Sequence, residues 1–133
     1  PWQHVLEPLS GYLILGERLC KEGARFSEAW NFGPGEEDAR SVDWVVKRIC
    51  EEWGEKGSYA IDAGDHPHEA HFLKLDSTKA RAELGWLPRW NLATAIMKTM
   101  EWARCYRDGG DLGGLCREQI REYCGGVSES LNA

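Results

Sequence analysis

Apolar residues recur at the spacing of one helix face in several stretches of the chain. In the first stretch the apolar positions are Val5, Leu9, Tyr12, Leu13, Gly16, Leu19 and Cys20. The charged residues Glu7, Glu17, Arg18 and Lys21 fall mostly off this stripe. Such a pattern predicts an amphipathic first helix that ends near Gly23.

Polar capping residues and glycines predict further helices. Ser41 and Gly54 bracket a second helical repeat, and Asp76 or Ser77 caps a short helix that Gly85 ends. In the same way a long amphipathic helix is predicted to begin after residue 91 and to end at the glycine pair 109–110. A last helix is predicted over residues 115–123, in a tail that spans 109–133.

Three short apolar or aromatic runs lie between the predicted helices, at residues 28–35, 58–63 and 70–75. Turn residues stop each of them, which is typical of strands. Two strands separated by a helix favour a parallel pair with a right-handed crossover. The sequence therefore predicts an α/β fold, a single domain over 1–133 with a small, partly parallel sheet and helices packed on it.

Composition narrows the class of function. The chain has 133 residues and a formal net charge of −6 without a basic cluster, which disfavours nucleic acid as a partner.

No window holds the roughly 20 apolar residues of a membrane span, and the first residues do not resemble a signal peptide, so we expect a cytoplasmic protein. The five cysteines never form a CxxC pair, and we expect reduced thiols rather than disulfides or a zinc site.

Motifs for cofactor or metal chemistry are few. Gly33-Pro34-Gly35 is too short for a phosphate-binding loop and predicts a turn, and neither a GxSxG elbow nor a Walker loop occurs. The run 65–71 holds three histidines and two carboxylates, the ligand types that zinc favours. Because alternate residues of an extended segment face opposite sides, they need not converge, and we expect a polar loop open to a ligand rather than a metal site.

Most of the seven tryptophans are expected to be buried. Trp2 is different because it lies beside Gln3 and His4, just ahead of the first helix. Such a polar and aromatic group could meet a ligand at the helix N-terminus.

Several stretches together resemble one family. They are Pro1 to Tyr12 (PWQHVLEPLSGY), Ala29 to Pro34 (AWNFGP), His68 to Ala70 (HEA), Leu73 to Asp76 (LKLD), Lys79-Ala80 and Leu84 to Leu92 (LGWLPRWNL). Their order and spacing up to residue 108 resemble the C-terminal part of CDP-glucose 4,6-dehydratases, in the extended short-chain dehydrogenase/reductase superfamily. The tail from 109 matches less clearly.

The resemblance implies a substrate-binding domain without its Rossmann partner. Full-length relatives bind NAD through an N-terminal glycine-rich motif and carry a catalytic Tyr-x-x-x-Lys pair, both upstream of the matching region. None of Tyr12, Tyr59, Tyr106 and Tyr123 has Lys four residues later. We therefore expect no catalytic residue, no cofactor site and no metal site in this chain.

The resemblance also implies which residues bind substrate. In relatives an arginine that contacts the diphosphate precedes the segment equivalent to Trp2, Gln3 and His4, and this chain begins after it. Glu69 matches the family's ribose-contacting position, and His66 stands where several relatives carry a phosphate-binding arginine. An imidazole is a weaker, pH-dependent replacement for that guanidinium.

Two functions follow as hypotheses. The chain is a truncated dehydratase domain that retains weak CDP-sugar binding and is not catalytic alone, or it is a non-enzymatic, self-associating protein derived from such a fragment. In the second case a surface that once met the Rossmann domain forms a homo-oligomer interface. A separately encoded Rossmann chain is an open alternative as partner.

Overall fold

The computed structural model describes residues 2–54, 57–62, 64 and 74–125. The α-helices of these ranges are α1 (Leu6–Glu22), α2 (Val42–Trp53), α3 (Leu92–Arg107) and α4 (Leu112–Tyr123). Short 3-10 turns at Gly23–Phe26 and Glu36–Asp38 and a π-helical turn at Ala80–Leu84 lie between them. In the part of the chain that the structure describes, no helix combines the length and the apolar character that crossing a bilayer needs.

Local capping places the helices close to where the sequence predicts them. Ser41 Oγ accepts from the Trp44 N–H at 3.2 Å, and Asn91 Oδ1 accepts from the Thr94 N–H at 2.9 Å. Each bond satisfies a donor that the first helical turn leaves free. The start of α4 was predicted too late, because Asp111 caps it by accepting from the Gly114 N–H at 2.9 Å.

The predicted sheet is wrong, since no strand forms within the described residues. Residues 28–35 and 58–62 form no regular element. In the first of these runs side chains take up backbone groups that a neighbouring strand would pair: Gln3 Nε2 donates to the Phe32 carbonyl at 2.8 Å, and the Gly33 N–H donates to Ser77 Oγ at 2.7 Å. Of the third predicted strand only residues 74 and 75 are described, and they form no strand either. The described fold is helical with irregular connections.

The buried apolar residues form two clusters. The first lies between α1 and the π-helical turn and consists of Phe26, Phe32, Ala80, Leu84 and Trp86. The second joins α2 to α3 and consists of Val45, Leu92, Ile96 and Met100. Between α3 and α4, Gln119 Nε2 donates to the Lys98 carbonyl at 3.0 Å. Within the described residues the two apolar clusters therefore lie at two separate seams.

The face that α1 buries is not the one that its apolar residues mark. Glu7 and Gly11 are buried, whereas Val5 and Leu13 are 61% and 77% exposed. The Phe32 ring lies directly over Gly11, so the helix approaches the first cluster closely at that point. The predicted stripe consequently forms an exposed apolar surface of Val5, Leu9, Tyr12, Leu13 and Leu19, called the α1 stripe below.

Two glycines of α1 provide a test of this orientation. In Gly11→Ala the new Cβ would lie 2.3 Å from a buried Phe32 ring carbon, so we expect a loss of about 1–3 kcal/mol in unfolding free energy. In Gly16→Ala nothing lies within 4 Å of the new Cβ, so better helix propensity should add about 0.5–1 kcal/mol. Urea denaturation of both variants measures the difference. Equal stability of the two variants would show that α1 does not face Phe32.

Candidate functional site

The carboxylate of Glu7 is completely buried and fully hydrogen-bonded. Its Oε1 accepts from the Trp90 N–H at 2.8 Å, and its Oε2 accepts from the Arg89 N–H at 3.0 Å and from the Tyr123 hydroxyl at 2.7 Å. A buried charge is tolerated only when such donors replace water. These three donors therefore make the burial of Glu7 possible.

Further hydrogen bonds extend this network along the first turn of α1. Trp86 Nε1 donates to the Glu7 carbonyl at 3.2 Å and to Ser10 Oγ at 3.0 Å, and Ser10 Oγ lies 3.0 Å from the Tyr123 hydroxyl. The network thus joins the start of α1, the loop after the π-helical turn and the end of α4. We call it the Glu7 cluster, and its members are Glu7, Ser10, Trp86, Arg89, Trp90 and Tyr123.

Arg89 and Trp90 both contact Tyr123 within the Glu7 cluster. The Arg89 guanidinium donates to the Tyr123 carbonyl at 2.9 Å and lies 5.3 Å from the centroid of the Tyr123 ring. The Trp90 and Tyr123 rings meet edge-on, with 5.1 Å between their centroids. Burial, reinforced by the hydrogen bond to Glu7, raises the pKa of Tyr123 to about 12. The hydroxyl therefore remains a donor throughout the neutral range.

The segment ahead of α1 carries three of the predicted substrate residues. Trp2 is 40% exposed, and its indole N–H donates to the Arg40 carbonyl at 3.2 Å. The side-chain amide nitrogen of Gln3 donates to the Phe32 carbonyl. The other amide atom, Oε1, is buried and has no hydrogen-bond partner among the described residues. Part of the Trp2 side chain is therefore accessible, whereas the unpartnered Gln3 Oε1 is closed off from solvent.

His4 faces the protein interior. Its side chain is buried, its Nδ1 accepts from the Leu6 N–H at 3.3 Å, and its ring lies edge-on to Trp90 at 4.9 Å. Burial lowers the pKa of His4, against the opposing effect of the nearby Glu7 carboxylate. A neutral imidazole at pH 7 fits this acceptor role. His4 connects the Trp2 segment to the Glu7 cluster.

Two predicted substrate residues, His66 and Glu69, lie outside the described residues, as does the whole of the 65–71 run considered for metal. Among the residues that are described, no group of three or more His, Cys, Asp or Glu side chains could hold a metal ion. The five cysteines are described, and all of them are free thiols.

Sequence reasoning missed Glu7 and Arg40. Glu7 is assigned to the polar side of α1 by its charge, and no sequence signal distinguishes it from Glu17, because its donors lie some 80 to 116 residues away. Arg40 is exposed, with its guanidinium 5.5 Å from the Trp44 ring centroid. Only its contact with Trp2 brings it to the candidate site.

Comparison with known proteins confirms the resemblance to sugar-nucleotide dehydratases. The chain is 47% identical to the CDP-glucose 4,6-dehydratase of Salmonella typhimurium over 123 residues, which is 92% of this chain and 34% of the relative. It is 38% identical over 92 residues to a probable dTDP-glucose 4,6-dehydratase of Sinorhizobium fredii, covering 63% of this chain and 25% of the relative.

The similarity is to part of a longer protein. The chain spans about a third of the length of the Salmonella dehydratase and 29% of a dTDP-glucose 4,6-dehydratase of Streptomyces niveus, to which it is 29% identical. No protein-family model matches the chain. The similarity therefore concerns about a third of these dehydratases, and it leaves the activity of the whole enzymes a separate question.

The Glu7 cluster predicts that one hydroxyl is important for stability. Tyr123→Phe removes the 2.7 Å bond to a buried carboxylate, so we expect a loss of about 1.5–3 kcal/mol in unfolding free energy. Tyr106→Phe, at a hydroxyl-bearing ring that is 66% exposed, is the matched control and should change little. Chemical denaturation at pH 7 measures both, and an unchanged Tyr123→Phe midpoint would contradict the assignment.

Proposed function

We propose that this chain is the sugar-nucleotide-binding part of a dehydratase, that it binds a CDP-sugar weakly, and that it does not catalyse dehydration alone. The observation that carries the proposal is the 47% identity to a CDP-glucose 4,6-dehydratase over nearly the whole chain. Catalysis would need a hydride carrier, and the sequence has no glycine-rich loop for one. An NAD-binding Rossmann part would have to be supplied separately.

The proposed binding surface begins at the Trp2 segment. The exposed ring of Trp2 can stack on a base. Gln3 anchors this segment by donating from Nε2 to the Phe32 carbonyl, while its Oε1 is buried beneath the surface. The His4 ring packs edge-on against Trp90 and so anchors this segment to the Glu7 cluster. His66 and Glu69 are added to the proposal from the family resemblance alone.

Titration calorimetry with CDP-glucose tests this proposal. Wild-type chain should give binding heat at millimolar ligand, and Trp2→Ala should weaken binding at least five-fold, since base stacking on an aromatic ring contributes about 1–3 kcal/mol. Trp102→Ala is the matched control because Trp102 is 39% exposed against 40% for Trp2. Trp102→Ala should bind like wild type.

Two results would count against the proposal. Absence of heat with wild-type protein would leave the fold without the binding function. Turnover of CDP-glucose by the purified chain with added NAD would show that catalysis does not need a further part.

A second function, self-association, is favoured by the α1 stripe. An apolar face along a 17-residue helix is more than isolated exposed side chains, and such faces mark interfaces. Gly16 leaves the middle of this helix open to another backbone. Charges of both signs follow at Glu17, Arg18 and Lys21, so a second copy of the stripe in a two-fold pairing is a suitable occupant.

A charge placed in the α1 stripe should abolish such an assembly. Leu13→Glu replaces a side chain that is 77% exposed, so it should leave the folded chain intact and convert an oligomer to monomer. Leu87→Glu, at a site that is 59% exposed and remote from the stripe in sequence, is the control and should not change the mass. Multi-angle light scattering at high concentration measures both. A monomeric wild-type protein would exclude this second function.

A further inference from the structure

Two segments that are far apart in the sequence meet at the Trp2 indole. Its Nε1 donates to the carbonyl of Arg40, which lies 38 residues later, at 3.2 Å. This bond fixes the exposed ring of Trp2 beside the residue that precedes the Ser41 cap of α2. Trp44, 36% exposed, lies one turn into the same helix.

The side chain of Arg40 is available for a ligand. Its guanidinium lies 5.5 Å from the Trp44 ring centroid, and within the described ranges it pairs with no carboxylate, unlike Arg18 and Arg48. An aromatic face under a guanidinium holds its plane while leaving the N–H fork free. Arg40 therefore presents a partly ordered cation at the surface.

The acidic residue nearest along α2 does little to cancel this cation. Asp43 is bound by Lys47 Nζ at 2.7 Å and accepts from the Tyr59 hydroxyl at 3.2 Å. The hydrogen bond from Lys47, against a smaller opposing effect of burial, lowers the pKa of Asp43. The carboxylate therefore stays ionised, and the charge of Lys47 offsets it. On α2 an anion at Arg40 would face a paired carboxylate, whereas Glu37 and Asp38, three and two residues ahead of Arg40, form no ion pair within the described ranges.

We propose that Arg40 binds the phosphates of a nucleoside diphosphate whose base stacks on Trp2, with Trp44 holding the guanidinium in place. This inference rests on the proposed function and names the anion contact within it. A guanidinium suits phosphate oxygens because it can donate two parallel hydrogen bonds.

The experiment compares two ligands that differ only in the phosphates. CDP and cytidine are titrated calorimetrically into wild type, Arg40→Gln and Arg40→Lys. Arg40→Gln should weaken CDP at least ten-fold and change cytidine less than two-fold, whereas Arg40→Lys should give an intermediate loss because it keeps the charge without the fork. Raising the salt concentration should weaken CDP binding more in wild type than in Arg40→Gln.

Arg25→Gln is the matched control. The Arg25 guanidinium is also exposed and lies 5.3 Å from an aromatic centroid, that of Phe26, so its removal tests for a general charge effect. It should leave CDP affinity unchanged.

The outcomes separate the two proposals. If wild type binds CDP and Arg40→Gln binds it equally well, the assignment of Arg40 is overturned and the proposed function stands. If Arg40→Gln weakens cytidine as much as CDP, the residue acts through local structure and the phosphate contact is likewise overturned. If wild type binds neither CDP nor CDP-glucose, the proposed function itself fails.

Discussion

Burial of the Glu7 carboxylate forces three separate parts of the chain together. An ionised side chain removed from water needs donors at close range, and those donors come from the Arg89 and Trp90 backbone and from the Tyr123 hydroxyl. None of them is local to α1. The first helix can therefore dock with this face inward only when the loop at 86–90 and the end of α4 are already close to it.

That constraint explains which side of α1 is exposed. With Glu7 turned inward, Gly11 must follow it four residues later and meets the Phe32 ring. Ile14 and Leu15 also turn toward the first cluster, whereas Leu9 and Leu13 are left outside. The exposed α1 stripe is thus a consequence of the face that Glu7 fixes.

The same network supports the segment in which a ligand would bind. His4 packs on Trp90, and Trp90 packs on Tyr123, so the residues just ahead of α1 rest on the Glu7 cluster. Trp2 is held from the other side by Arg40. The proposed ligand surface thus depends on the same buried network that fixes the start of α1.

Local chemistry in the sequence was enough to place the starts of α2 and α3, because a cap acts within one turn. Ser41 and Asn91 marked the starts of α2 and α3, and Gly85 marked the end of the π-helical turn. The resemblance to dehydratases was also in the sequence, since it depends on residue identity and order rather than on contacts. Tertiary structure alone decided the rest. Extended runs became irregular segments instead of strands because side chains such as Ser77 took the backbone bonds. Which face of α1 is buried, and the contact of Arg40 with Trp2, depend on partners many tens of residues away. The spacing of apolar residues along the chain carries no information about such contacts.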